Sequence, residues 1–151
     1  NKMRMCIFPK SYDWNNNEPE FYPFEGTPLK NWDYSRLNPA FFRNIEKRIQ
    51  QLDSLGIEAD LIVFHPYDRW GFSTLDRATE DLYIDYIIAR FAAYKNVWWS
   101  MANEWDFMNA KKLSDWDYYI AQFAEKDKFR TFALQISQKN IRRKLSAKGI
   151  T

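Results

Sequence analysis

A chain of 151 residues is long enough for one domain with a real core, and 46% hydrophobic content makes it globular rather than disordered. Aromatic content is high at 19%, which implies either a very aromatic core or a surface built to stack on flat ligands such as sugars. One Cys excludes an internal disulfide and a Cys-based metal site, one His excludes a His-rich site, and no apolar run approaches the length of a membrane span.

Net charge is +2 but unevenly spread. Residues 1–124 hold 14 Lys/Arg and 18 Asp/Glu, a net of −4, whereas residues 125–151 hold 8 basic and 2 acidic residues, a net of +6. All Trp and Tyr lie at or before Tyr119. The chain therefore divides into a body, residues 1–125, and a basic, polar, helix-compatible tail, residues 126–151. Asn1 is not an initiator residue and no signal peptide is visible, so the chain reads as a piece of a longer protein.

Met3 to Phe8 predicts a first strand, ended by Pro9. Residues 10–37 are rich in Asn, Pro and aromatics with no sustained period; a loop of that length is either functional or an aromatic flap over the sheet edge. Asn38-Pro39 is a helix start, cap followed by Pro at the first helical position, and Gly56 is its C′ residue, so a helix spans about residues 39–55. Phe41, Ile45, Ile49 and Leu52 form its apolar stripe.

Ile57 to Phe64 is the second strand, continuously apolar over Leu61-Ile62-Val63-Phe64 as a strand buried on both faces should be. It runs into a loop that gathers His65, Asp68, Arg69 and Trp70. His65 in isolation reads as a hydrogen-bonded structural His; its place at a strand's carboxyl end also fits a substrate-facing one. A second helix spans Leu75 to Tyr94, its stripe of Leu82, Tyr83, Tyr86, Ile87, Phe91 and Tyr94 facing the core.

Val97 to Ala102 is a third strand, chosen over helix for its β-branched and aromatic residues. Asn103, Glu104 and Asp106 emerge at its carboxyl end, the edge where α/β folds bind ligands. Set among Trp99, Trp105 and Phe107, a carboxylate is partly desolvated, which favours a proton-holding general acid. An adjacent Asn can orient a hydroxyl, and Trp faces can cover sugar C–H groups. Asn103, Glu104 and the surrounding Trp residues thus suggest glycosidic bond cleavage; the plain alternative is a strand end carrying a solvated Glu. A third helix starts at Ser114 or Asp115 and runs to about Glu125.

Strand, helix, strand, helix, strand, helix is the order of a parallel α/β chain with right-handed crossovers. The 4 Gly form no phosphate-binding loop after any strand, so no nucleotide cofactor is expected.

Three blocks carry a family resemblance: residues 31–42 (NWDYSRLNPAFF), 55–68 (LGIEADLIVFHPYD) and 96–106 (NVWWSMANEWD). Together they resemble the catalytic domain of proteins assigned as endoglucanases in the apiosidase-like group, (β/α)8-barrel glycosidases similar to clan A glycoside hydrolases. The resemblance covers roughly residues 1–120 and implies a partial, truncated TIM barrel of about three parallel strands. The three strands would be barrel strands two, three and four. By that resemblance Glu104 is the catalytic acid/base and Asn103 contacts the sugar hydroxyl beside the reacting carbon. His65, Asp68, Trp70 and Trp105 join Asn103 as candidate substrate-binding residues.

The resemblance further implies a retaining mechanism with a second carboxylate on barrel strand seven, and no metal or other cofactor. A full barrel takes about 250 residues. Residues 126–151 should hold strand five but do not read as one. The nucleophile is not recognisable in this sequence, and the chain alone is expected to be inactive. The partner that the resemblance implies is an oligosaccharide or polysaccharide, β-linked and of plant or microbial origin. No membrane partner is expected. Nucleic acid is disfavoured because the basic tail offers only Phe129 and Phe132 for interleaved stacking. A non-catalytic carbohydrate-binding module is the competing function. Leu61, Val63, Val97 and Trp99 cannot all be covered by three helices and a loop, so a homo-oligomer, most simply a two-fold dimer, is expected.

Overall fold

The computed structural model describes residues 1–129, so most of the basic tail, with its expected helix or fifth strand, lies outside the described residues. The elements in chain order are β1 (Lys2–Cys6), β2 (Phe24–Thr27), β3 (Asn31–Leu37), α1 (Pro39–Ser54), β4 (Glu58–Phe64), α2 (Arg77–Phe91), β5 (Val97–Ala102) and α3 (Leu113–Lys126). β1, β4 and β5 form a parallel sheet in the order β1-β4-β5, with Met5 opposite Leu61 and Leu61 opposite Trp99. This is a mixed α/β fold in which helices alternate with the strands of a three-stranded parallel sheet.

The helix boundaries follow from local chemistry. Asn38 Oδ1 accepts the Ala40 N–H at 3.0 Å, and Pro39 gives up no needed donor at the first helical position. Gly56, at φ 67°, takes the left-handed step that ends α1, as its place after the last apolar position predicts. Asp76 caps α2 by accepting the Thr79 N–H at 2.8 Å. That cap starts the helix later than the Leu75 expected from the apolar pattern, and Phe91 ends it before Tyr94.

Residues 10–37 are not one long loop. β2 and β3 form an antiparallel hairpin, with an irregularity between Phe24 and Glu25. Gly26 is required there: its φ is 112°, and a Cβ would lie 2.2 Å from the Asn31 carbonyl oxygen. The turn itself places Leu29 at φ 59°, without the Asn-Gly or Asp-Gly pair that would have announced it.

Much of the aromatic content is core. Phe8 stacks on Tyr83 with ring centroids 4.3 Å apart and on Phe72 at 5.1 Å, while Phe24 and Phe64 close around them. The Tyr83 hydroxyl donates to the Val63 carbonyl at 3.0 Å, so this buried polar group is satisfied.

Leu61, Val63, Val97 and Trp99 are all 0% exposed and belong to this core, which corrects the expectation that some would be left uncovered. The neighbouring positions along the strands carry charge instead. Arg4 Nε pairs with Asp60 Oδ2 at 3.2 Å, Ser100 Oγ donates to Asp60 Oδ1, and Lys2 Nζ lies 3.8 Å over the Trp98 ring. In the first part of the strands, period-two alternation sets Leu61 and Trp99 on one face and the polar Asp60 and Ser100 on the other, whereas at the carboxyl end of β4 Phe64 packs on Tyr83 of α2 and Tyr119 of α3.

Candidate active site at the end of the third parallel strand

β5 delivers two functional groups to its carboxyl end. The Asn103 N–H donates to the Phe64 carbonyl at 3.0 Å and so continues the β4–β5 ladder one step past the strand. Glu104 then breaks it, at φ 51° and ψ 53°. A left-handed Glu has Cβ close to its own carbonyl oxygen and costs about 1–3 kcal/mol, so the surrounding structure must hold it there. Part of that hold is the one-turn 3-10 helix Trp105–Phe107, closed by Phe107 N–H donating to the Glu104 carbonyl at 3.0 Å. Asn103 Nδ2 donates to Glu104 Oε2 at 3.3 Å, which places amide and carboxylate side by side, both half-buried.

The environment of this pair differs from the expected Trp cage. Trp99 packs edge-on against Phe123 at 5.0 Å and donates from Nε1 to Asp127 Oδ2, so its ring lies among the helices. Trp105 is half-buried and Phe107 is exposed. The cleft beside the pair is instead lined by Lys10, Tyr12, Trp14 and Tyr67 together with Asn103 and Glu104, and holds about 410 Å³. That volume lies in the range of small-ligand sites. Lys10 Nζ sits 4.7 Å from the Tyr67 ring centroid and 5.9 Å from that of Tyr12, a cation held against two aromatic faces.

Three residues expected to touch substrate have their polar atoms engaged within the protein. His65 is 2% exposed. Its Nδ1 accepts the Tyr67 N–H at 3.1 Å, so Nε2 carries the proton and donates to the Phe8 carbonyl at 3.0 Å. Burial pushes its pKa below the ordinary value, and the Phe8 carbonyl only partly opposes this. Asp68 organises the loop after β4: Oδ1 accepts the N–H groups of Trp70, Gly71 and Phe72 at 2.8, 2.6 and 3.0 Å, and Oδ2 that of Ser73 at 2.8 Å. Trp70 is buried, donates to Glu18 Oε2 at 3.1 Å and stacks against Phe72. Of the three, His65 is the one in contact with the cleft-lining Tyr67, whose N–H and ring both rest on it.

Sequence reasoning passed over Lys10, Tyr12, Trp14 and Tyr67. Tyr67 lies inside a quoted block but beside more chemically conspicuous neighbours. The other three come from a segment without period, where only the clustering of aromatics signalled a site. Among the described residues no cluster of His, Cys, Asp and Glu is placed to hold a metal ion.

A crystal structure described as a putative glycoside hydrolase, from Bacteroides vulgatus ATCC 8482, is similar at a TM-score of 0.82 and 50% identity over 86% of this chain. The chain spans 28% of the length of that protein. No curated protein matches the sequence. The model of the apiosidase-like catalytic domain matches residues 9–148, and so runs through most of the basic segment as well. The chain therefore belongs to the apiosidase-like catalytic domain family.

Proposed function

We propose that this chain is part of a retaining, endoglucanase-like glycoside hydrolase of β-linked plant or microbial polysaccharide, in which Glu104 is the general acid/base. Its three parallel strands are read as strands two to four of a (β/α)8 barrel. The observation that carries the reading is the Asn103–Glu104 pair at the carboxyl end of β5, facing a 410 Å³ cleft walled by Tyr12, Trp14 and Tyr67. A strained φ at the acidic residue is a further support, because such strain is retained where function holds it.

In this mechanism Glu104 gives its proton to the glycosidic oxygen as the bond to the anomeric carbon breaks, then takes one from water in the second step. Asn103 binds the hydroxyl next to the reacting carbon. The nucleophilic carboxylate must lie about 5–5.5 Å from Glu104. Among the described residues Glu104 is the one carboxylate lining the cleft, and the Asp68 oxygens are engaged by four backbone N–H groups. We assign the nucleophile to a part of the enzyme outside this chain, and the chain alone to inactivity.

A non-catalytic carbohydrate-binding module would also use an exposed Trp14. One variant separates the two readings. In the longer enzyme carrying this chain, Glu104→Gln should slow aryl glycosides with poor leaving groups far more than those with good ones, because only the former depend on protonation. Equal slowing of both removes Glu104 from the acid role; no hydrolysis by the unmodified enzyme favours the binding module.

A further inference from the structure

Trp14 is 86% exposed, yet the turn that carries it is held at both ends. Tyr12 and Asn15 exchange backbone hydrogen bonds, 3.3 Å from Tyr12 N–H and 2.8 Å from Asn15 N–H, which closes a tight turn with Trp14 at its tip. Before the turn, the Ser11 N–H donates to the Tyr67 carbonyl at 2.9 Å. After it, Arg69 donates to the Asn16 carbonyl at 2.6 Å and pairs with the Glu18 carboxylate. That carboxylate also accepts from Trp70 Nε1 at 3.1 Å and from the Tyr22 hydroxyl. The loop after β4 thus grips the Trp14 turn from both sides.

An exposed Trp on a mobile loop needs no explanation. A Trp fixed in the open, with the Tyr12 ring edge-on at 5.1 Å and in the wall of the same cleft as Glu104, is different. The anchoring lowers the entropy that binding would otherwise have to offset, which is the physical meaning of preorganisation. The ligand that suits a bare indole face in a wet cleft is one with an apolar face and a polar rim, as a pyranose ring has.

We infer that Trp14, backed by Tyr12 and fixed by the Glu18–Arg69–Trp70 grip, is a second sugar-binding subsite beside the one at Glu104. The ligand it implies is a carbohydrate of at least two rings, one stacked on Trp14 and one at the Asn103–Glu104 pair. This rests on the proposed glycosidase reading for its second ring, but its test does not require catalysis. The 151-residue chain is run in native gels containing, one at a time, hydroxyethyl cellulose, xylan, galactomannan or pectin. At least one polysaccharide should retard it. Trp14→Ala should weaken that retardation by about tenfold or more, as expected for loss of a stacked aromatic contact. Trp14→Phe, which keeps a ring, should retain part of it. Leu55→Ser, at an exposed position outside the cleft, should be retarded like the parent chain, and because the readout is binding alone it separates this subsite from the acid/base assignment. Retardation of Trp14→Ala equal to the parent, or no retardation by any of the four polysaccharides, overturns the inference.

Discussion

The Lys111 ammonium is bonded to the Glu80 carboxylate beneath the segment that follows Glu104, with side-chain exposures of only 6% and 2%. Lys111 also donates to the Leu75 carbonyl at 3.3 Å, and the Tyr119 hydroxyl donates to the other oxygen of Glu80. One carboxylate on α2 therefore joins the post-β5 segment to α3. Burial, then Glu80 itself, push the Tyr119 pKa well up, so its hydroxyl stays a donor.

Lys111→Met should destabilise the chain by about 3–5 kcal/mol, because it leaves the Glu80 charge buried with too few partners. Against a typical domain stability of about 5–15 kcal/mol this is a large fraction. Adding Glu80→Gln should recover part of the loss by removing the stranded charge. Urea unfolding of the two variants checks this; a loss below about 1 kcal/mol for Lys111→Met would mean that the pair behaves like an exposed one.

His65 makes the stability of the chain sensitive to mild acid. Burial holds its folded-state pKa below the ordinary 6.5, so the unfolded chain takes up the proton first as pH falls. The contribution is fully present above about pH 6.5 and is lost as pH drops from there through the folded value, with a slope of at most about 1.36 kcal/mol per pH unit. His65 is the one histidine, so no other side chain has its ordinary pKa in that interval. Urea midpoints should fall between pH 7 and pH 5.5 for the parent and stay flatter for His65→Gln. Parallel slopes would show that the ring is not buried neutral.

The parts of the fold that sequence made legible are those with local chemical causes. Asn38-Pro39 and Gly56 mark the ends of α1 because a cap, a missing N–H and a left-handed step are each properties of single residues. Asn103-Glu104 stood out because a β-branched and aromatic run stops there and polar groups begin. The hairpin was hidden because Leu29 occupies the left-handed turn position that Gly or Asn ordinarily marks. The site was half legible for another reason. His65, Asp68 and Trp70 were singled out by residue type, but type does not say where lone pairs and N–H groups go. Here they go to Phe8, to four backbone amides and to Glu18. Lys10, Tyr12 and Trp14 reach the cleft through the long-range Ser11–Tyr67 and Arg69–Asn16 bonds, which no local pattern encodes.

Self-association is the remaining expectation, and its cause shifts from an uncovered apolar face to open strand edges. Among the described residues β1 and β5 each pair on one side only. An unpaired row of N–H and C=O groups recruits another strand unless charge guards it. On β1 the candidate guards are engaged inward, Lys2 with Glu58 and Trp98, Arg4 with Asp60, whereas Met3 is 49% exposed. An isologous pairing of β1 with its copy about a two-fold axis is the simplest closed arrangement. Sedimentation velocity of the chain at micromolar concentrations should show a concentration-dependent dimer. Met3→Lys, which places a free charge on that edge, should shift the population to monomer. A parent chain that sediments as a monomer at every concentration would leave the β1 edge without a partner of its own kind.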